Sequence, residues 1–195
     1  MKKLLLLTVL TTAGALLASP ALAQRDPEGM LFGGYSLLWA DQGDDLDRAT
    51  LHGFAVDYTY FMDRRFGFVV SGSVHTGPAD AGGNALDVSD IDFRDYTLLA
   101  GPHFVLWRAH KSEAGLRALA GAGWRRLRTG DGGVAISDDV DFTWAIEAHL
   151  DLRLSDNIWL RALQPAIVFT QFDDINRTDY RLSIGLVLRG GSLLQ

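Results

Sequence analysis

The chain has 195 residues, 24 acidic against 18 basic, a formal net charge of −6 and no cysteine. That length suits one domain, and the acidic balance argues against a nucleic-acid partner. The missing cysteine excludes disulfide staples, thiolate metal sites and a cysteine-linked lipid anchor.

Residues Met1 to Ala23 have the features of a cleavable secretory signal. Lys2 and Lys3 form the positive start, Leu4 to Leu17 the apolar run, and Ala21-Leu22-Ala23 a small-x-small cleavage site. Cleavage leaves the domain Gln24 to Gln195, 172 residues long, and moves the formal charge from −6 to −8 by removing the two lysines. No later stretch carries the roughly 18 uncharged apolar residues of a membrane-spanning helix.

Eight strand candidates follow in order: Met30–Ala40, Thr50–Met62, Arg65–His75, Phe93–Trp107, Ala114–Leu127, Asp141–Leu154, Asn157–Thr170 and Tyr180–Arg189. Most exceed the five or six residues typical of soluble strands and reach the roughly 9 to 11 that cross a bilayer. The sixth shows their common pattern. One parity holds Phe142, Trp144, Ile146, Ala148, Leu150, Leu152 and Leu154; the other holds Thr143, Ala145, Glu147, His149, Asp151 and Arg153. Successive side chains point to opposite faces of a strand, so one face is apolar and the other charged. A soluble sandwich or a lipocalin-like binder turns the apolar face inward. A membrane barrel turns it outward to lipid and keeps the charges in its lumen. In the seventh strand clean parity is lost near Gln164-Pro165, where a bulge is expected because proline cannot donate to the ladder.

The connections help to decide. Met62 to Arg65, Arg108 to Glu113 and Ser155 to Asn157 are short. Asp41 to Ala49, Thr76 to Asp92, Arg128 to Val140 and Gln171 to Asp179 are longer, and the two kinds alternate. Short turns on one side and long loops on the other are the mark of an outer-membrane barrel. The long loops are acidic, with Asp44, Asp45, Asp47, Asp80, Asp87, Asp90, Asp92, Asp138, Asp139, Asp173, Asp174 and Asp179 among them. Weak divalent-cation binding is expected at these loops. Aromatic residues such as Trp39, Tyr58, Tyr96, Trp107, Trp124, Trp144, Trp159, Phe169 and Tyr180 gather near strand ends, as in the girdles at the two water interfaces.

Four segments carry a family resemblance. They are Phe32-Gly33-Gly34-Tyr35-Ser36, Leu51-His52-Gly53-Phe54, Leu99-Ala100-Gly101-Pro102-His103-Phe104 and the last strand from Arg181 to Gly190. Together they resemble the small bacterial outer-membrane β-barrel proteins, similar to the transmembrane domain of outer-membrane protein A. The resemblance implies an all-β fold, an eight-stranded antiparallel up-and-down transmembrane barrel. It also implies residence in the outer membrane of a Gram-negative bacterium, contact with its lipid and lipopolysaccharide, and insertion by the barrel assembly machinery.

Lumen parity collects Asp57, Arg117, Arg125, Glu147, His149, Asp151, Arg153, Arg181 and Arg189, with Ser71, Ser73 and His75 beside them and Arg161 as a further candidate. Charges that dense inside a narrow barrel must pair, which predicts a salt-bridge plug. Exchange of partners would instead open a narrow diffusion channel. The Ser73-x-His75 pair is a poor catalytic candidate. Its parity points to the lumen, and same-face neighbours on one strand lie about 7 Å apart. The expected role is therefore structural or surface interaction, with no catalysis, no cofactor and no metal centre.

Overall fold

The computed structural model describes residues 28–41, 49–78, 91–129, 140–172 and 175–190. The signal segment, Asp44, Asp45, Asp47, Asp80, Asp87, Asp90, Asp131, Asp138, Asp139, Asp173, Asp174 and the last five residues lie outside them. The strands are β1 Glu28–Ala40, β2 Ala49–Phe61, β3 Phe66–Pro78, β4 Ile91–Ala109, β5 Ser112–Thr129, β6 Val140–Arg153, β7 Ile158–Phe172 and β8 Ile175–Gly190. Each pairs antiparallel with the next, and β8 returns to β1, so the eight strands form a closed up-and-down barrel. Closure leaves no unpaired edge, the condition for a sheet to cross a bilayer.

The alternation seen in the sequence decides which way the sheet faces. Ile184, Leu186 and Leu188 are about half exposed on β8, whereas Arg181, Ser183 and Arg189 are buried between them. The same holds on β6, with Phe142, Trp144 and Ile146 outward and Thr143, Glu147, His149 and Asp151 inward. The apolar face is the outside of the barrel. The lipocalin-like alternative requires the reverse and is excluded.

Two aromatic bands flank the outer surface. Tyr96 stacks on Trp124 with ring centres 5.7 Å apart and Trp144 on Phe169 at 4.0 Å, at the end opposite the short turns. Phe66 and Phe104, 5.1 Å apart, mark the turn end. Trp159 departs from the expected girdle. It is only 7% exposed and faces the lumen beneath Arg189.

At the turn end Asp63 Oδ1 accepts from the amides of Arg65 and Phe66 at 2.7 and 2.8 Å, which closes the β2–β3 turn. Gly34 and Gly185 are paired across the β1–β8 seam, where a Cβ on either would strike the facing backbone. Glycine at both positions lets the seam strands approach closely.

Strand limits correct the expected loops in one place. β7 ends at Phe172 and β8 begins at Ile175, so their connection is two residues rather than the nine from Gln171 to Asp179. The polar run Asn176-Arg177-Thr178-Asp179 belongs to β8. Asp92, also placed in a loop from sequence, lies in β4.

Candidate functional site: a charged lumen

Eight strands leave an interior that side chains can just fill. Here it is filled largely by ion pairs, in two groups.

The larger group runs from the middle of the lumen to the turn end. Asp57 on β2 is its centre. Its carboxylate accepts from Arg117 Nη1 at 2.6 Å, Arg161 Nη1 at 3.2 Å, Gln164 Nε2 at 3.2 Å and the Ser71 hydroxyl at 2.7 Å. Glu147 on β6 pairs with Arg181, takes the Gln164 amide at 2.9 Å and lies 3.7 Å from Arg117. Arg161 turns its other edge to Asp151, with bonds of 2.7 and 3.0 Å to the two carboxylate oxygens. Such a two-pronged contact is the strong form of guanidinium–carboxylate pairing. Arg189 continues the chain, 3.6 Å from Asp151 and 2.7 Å from Glu113, and Glu113 also accepts from Arg108. Nine charged groups, from Arg181 to Arg108, thus form one connected network.

The smaller group lies toward the other end. Arg125 on β5 donates to Asp95 at 2.7 Å and to Asp179. Asp179 Oδ1 also accepts the backbone amide of Asp41 at 2.7 Å. Below this group Arg181 reaches Ser73 Oγ at 2.9 Å, and Ser73 bonds Thr97 at 2.7 Å. A cavity of about 10 Å³ remains here, lined by Ser73, His75, Asp95, Thr97, Arg125 and Asp179 among others. That is room for about one water molecule.

Eight of the nine lumen residues expected from parity line these groups. Asp57, Arg117, Arg125, Glu147, Asp151, Arg181 and Arg189 hold the ion pairs described, and His149 is buried beside them. Arg153 differs: it sits at the β6–β7 turn and pairs at 2.5 Å with Asp156, which is 77% exposed. The last residue of a strand escapes the lumen because the turn carries it away.

Several participants lie beyond that set. Arg161 and Gln164 both point inward although three positions separate them, because β7 shifts register against β8 between these two residues. The bulge expected near Pro165 is therefore real and turns both side chains into the network. Glu113 was read as part of a turn, yet β5 starts at Ser112 and Glu113 is fully buried. Asp95 and His103 share the inward parity of β4, a strand whose lumen face sequence reasoning did not list. Asp179 was counted in the acidic rim and is instead 2% exposed.

The Ser73-x-His75 pair makes no catalytic contact. Ser73 bonds Thr97, while His75 Nε2 lies 2.8 Å from Ser36 Oγ.

The fold matches known proteins. The model of the outer membrane protein beta-barrel domain family matches residues 9–187. No curated protein sequence matches the chain. Among solved structures, the attachment invasion locus protein Ail of Yersinia pestis, solved in complex with the heparin analogue sucrose octasulfate, is similar at a TM-score of 0.54 and 19% identity. That alignment covers 85% of this chain and 100% of the other. Neisserial surface protein A is similar at a TM-score of 0.61 and 12% identity, covering 83% of this chain and 96% of that one. The outer membrane protein OprG of Pseudomonas aeruginosa gives 0.55 and 9%, covering 88% and 99%. At these identities the structural likeness speaks for the fold, and the family model for descent. The apolar exterior, the closed eight-stranded sheet and the matched family model together show that the chain belongs to the outer-membrane protein β-barrel family and is a protein of the cell outer membrane.

Proposed function

We propose that the protein is a sealed, non-catalytic barrel whose role is structural or surface interaction, with the lumen network as its plug. The observation that carries this reading is the continuity of the network. Nine buried or half-buried charged groups join through shared partners, and Gln164 stitches Asp57, Glu147 and Arg161 together. Buried ions incur a desolvation cost of several kcal/mol each, which only good pairing offsets. Once formed, the network resists both hydration and opening.

The same reading takes residues 1–23 as a cleaved export signal and 24–195 as the barrel of a Gram-negative outer membrane. Lipid surrounds the apolar face, lipopolysaccharide faces the loop end, and the barrel assembly machinery inserts the chain. The acidic loops then bind divalent cations weakly.

Sealing is tested by reconstituting the barrel in liposomes and following swelling in small sugars. Flux at the level of empty liposomes is expected; rapid swelling would reject the plug. Absence of catalysis is tested by incubating the proteoliposomes with phospholipid and lipopolysaccharide and weighing the lipids by mass spectrometry. Unchanged acyl chains are expected, and released fatty acid would reject the reading.

A second reading, a narrow diffusion channel, draws on one feature. Asp57 and Glu147 each face two guanidiniums, so a small shift can exchange partners without leaving a charge bare. Ion conductance without sugar flux would favour it.

A further inference from the structure

The turn-side half of the lumen holds two imidazoles that the ion-pair network does not use. His103 is fully buried and His149 is 3% exposed, and none of their four ring nitrogens has a hydrogen-bond partner. A buried polar group without a partner costs about 1–3 kcal/mol, so an orphaned pair requires a reason.

The rings are held together. Their centres are 4.8 Å apart, at 80° to each other, and Phe61 packs tilted against His103 at 5.1 Å. They meet over Gly115, which lies between them on β5 and pairs with His149 across the ladder. A Cβ on Gly115 would strike His149 Cε1 and come within 2.9 Å of His103 Nε2. Only glycine leaves the space in which the two rings converge.

Two carboxylates complete the setting. Glu113 and Asp151 face each other across β5 and β6, one step toward the turns, and both are fully buried. One ligand atom each from Glu113, His149 and Asp151 lies within 4.8 Å of the others. Like charges directly opposite on a ladder repel; Arg189 bridges the two carboxylates at 2.7 and 3.6 Å, yet neither imidazole takes part in that pairing.

We propose that His103, Glu113, His149 and Asp151 form a divalent transition-metal site pinning β4, β5 and β6 together. Two imidazoles and two carboxylates make a mixed N₂O₂ set. Imidazole selects zinc, copper or nickel over calcium and magnesium, which prefer oxygen alone. Metal–ligand bonds of about 2.0–2.2 Å place tetrahedral ligand atoms roughly 3.3–3.6 Å apart, so the Glu113, His149 and Asp151 atoms draw in by up to about 1.5 Å and the His103 ring turns in to join them. Arg161 on Asp151 and Arg189 on both carboxylates stay as outer partners, while Arg108, the most exposed guanidinium of the network at 26%, turns toward water. The site differs from the weak cation binding proposed for the loops in ligand type, depth and strength.

The test uses the folded full barrel in detergent, stripped with a chelator and titrated with zinc chloride by calorimetry. One zinc per chain is expected, at micromolar affinity or tighter. His103→Asn/His149→Asn should weaken binding by more than about 100-fold, since half the ligand set is lost. Asp87→Asn/Asp90→Asn should leave it unchanged. X-ray absorption of the zinc-loaded wild type should show two imidazole nitrogens at about 2.0 Å, a readout independent of how the variant folds. No saturable binding, an oxygen-only shell, or an unchanged affinity in the folded double variant would each overturn the site, leaving the histidines satisfied by ordered water alone.

Discussion

Near the loop end of the lumen, one guanidinium, that of Arg125, divides itself between two carboxylates, Asp95 and Asp179. Near the turn end the arrangement is inverted: one carboxylate, that of Glu113, receives two guanidiniums, Arg108 and Arg189. Between them Asp57 and Glu147 each face two arginines. The first group is small and borders a water-sized cavity. The turn-end group joins the larger, almost wholly buried network, whose one partly exposed member is Arg108. The difference shows that the cost of losing a charge should follow connectivity and depth more than the number of bonds a residue makes.

The comparison breaks most clearly at its centre. Asp57→Asn removes the charge shared by Arg117 and Arg161, both fully buried. Breaking a buried pair costs about 3–5 kcal/mol; Arg161 keeps Asp151, but Arg117 is left with Glu147 alone, at 3.7 Å. Urea unfolding in lipid vesicles should register a loss of that size. A change below about 1 kcal/mol, the surface-pair range, would show that water reaches the network freely.

Moving to the outside of the wall sharpens the contrast between lumen and lipid. Ile184 is 48% exposed on the lipid face of β8. Ile184→Arg should destabilise by about 2–4 kcal/mol near the bilayer midplane and reduce the heat-modifiable folded fraction. A neutral result would place that face in water.

The loop-end group should be more forgiving. Asp95→Asn leaves Arg125 with Asp179, so a loss of about 1–2 kcal/mol is expected in the same unfolding assay, well short of Asp57→Asn. Equal losses would mean that the two groups are not different in kind. The smallest effect belongs to Arg153→Ala. Its partner Asp156 is exposed at the turn, so the change should be within about 1 kcal/mol.

Much of this was legible in the sequence, and the exceptions have physical causes. Parity put Asp57, Arg117, Glu147 and Asp151 on one face and Ile184 on the other, because a one-residue slip would reverse every side chain, and the export signal and loop pattern said which face was the lumen. It failed where the period itself changes. The β7 bulge lets Arg161 and Gln164 share a face, and only the broken pattern around Pro165 hinted at it. Strand ends were the other weak point. Charge and polarity made Glu113 read as turn and Asp179 as loop, yet burial with arginine partners keeps both inside their strands. Arg153 erred in the opposite direction, counted inward one residue too far. The orphaned histidines were half visible: His149 by parity, His103 only once β4, β5 and β6 stood side by side.

Single-barrel conductance in planar bilayers tests the central claim, a lumen sealed by its ion pairs, most directly. The wild type should show no steady current above the bare membrane, while Asp57→Asn, if it inserts, should give brief openings as Arg117 and Arg161 lose their common partner. A large, steady wild-type conductance would contradict the plug.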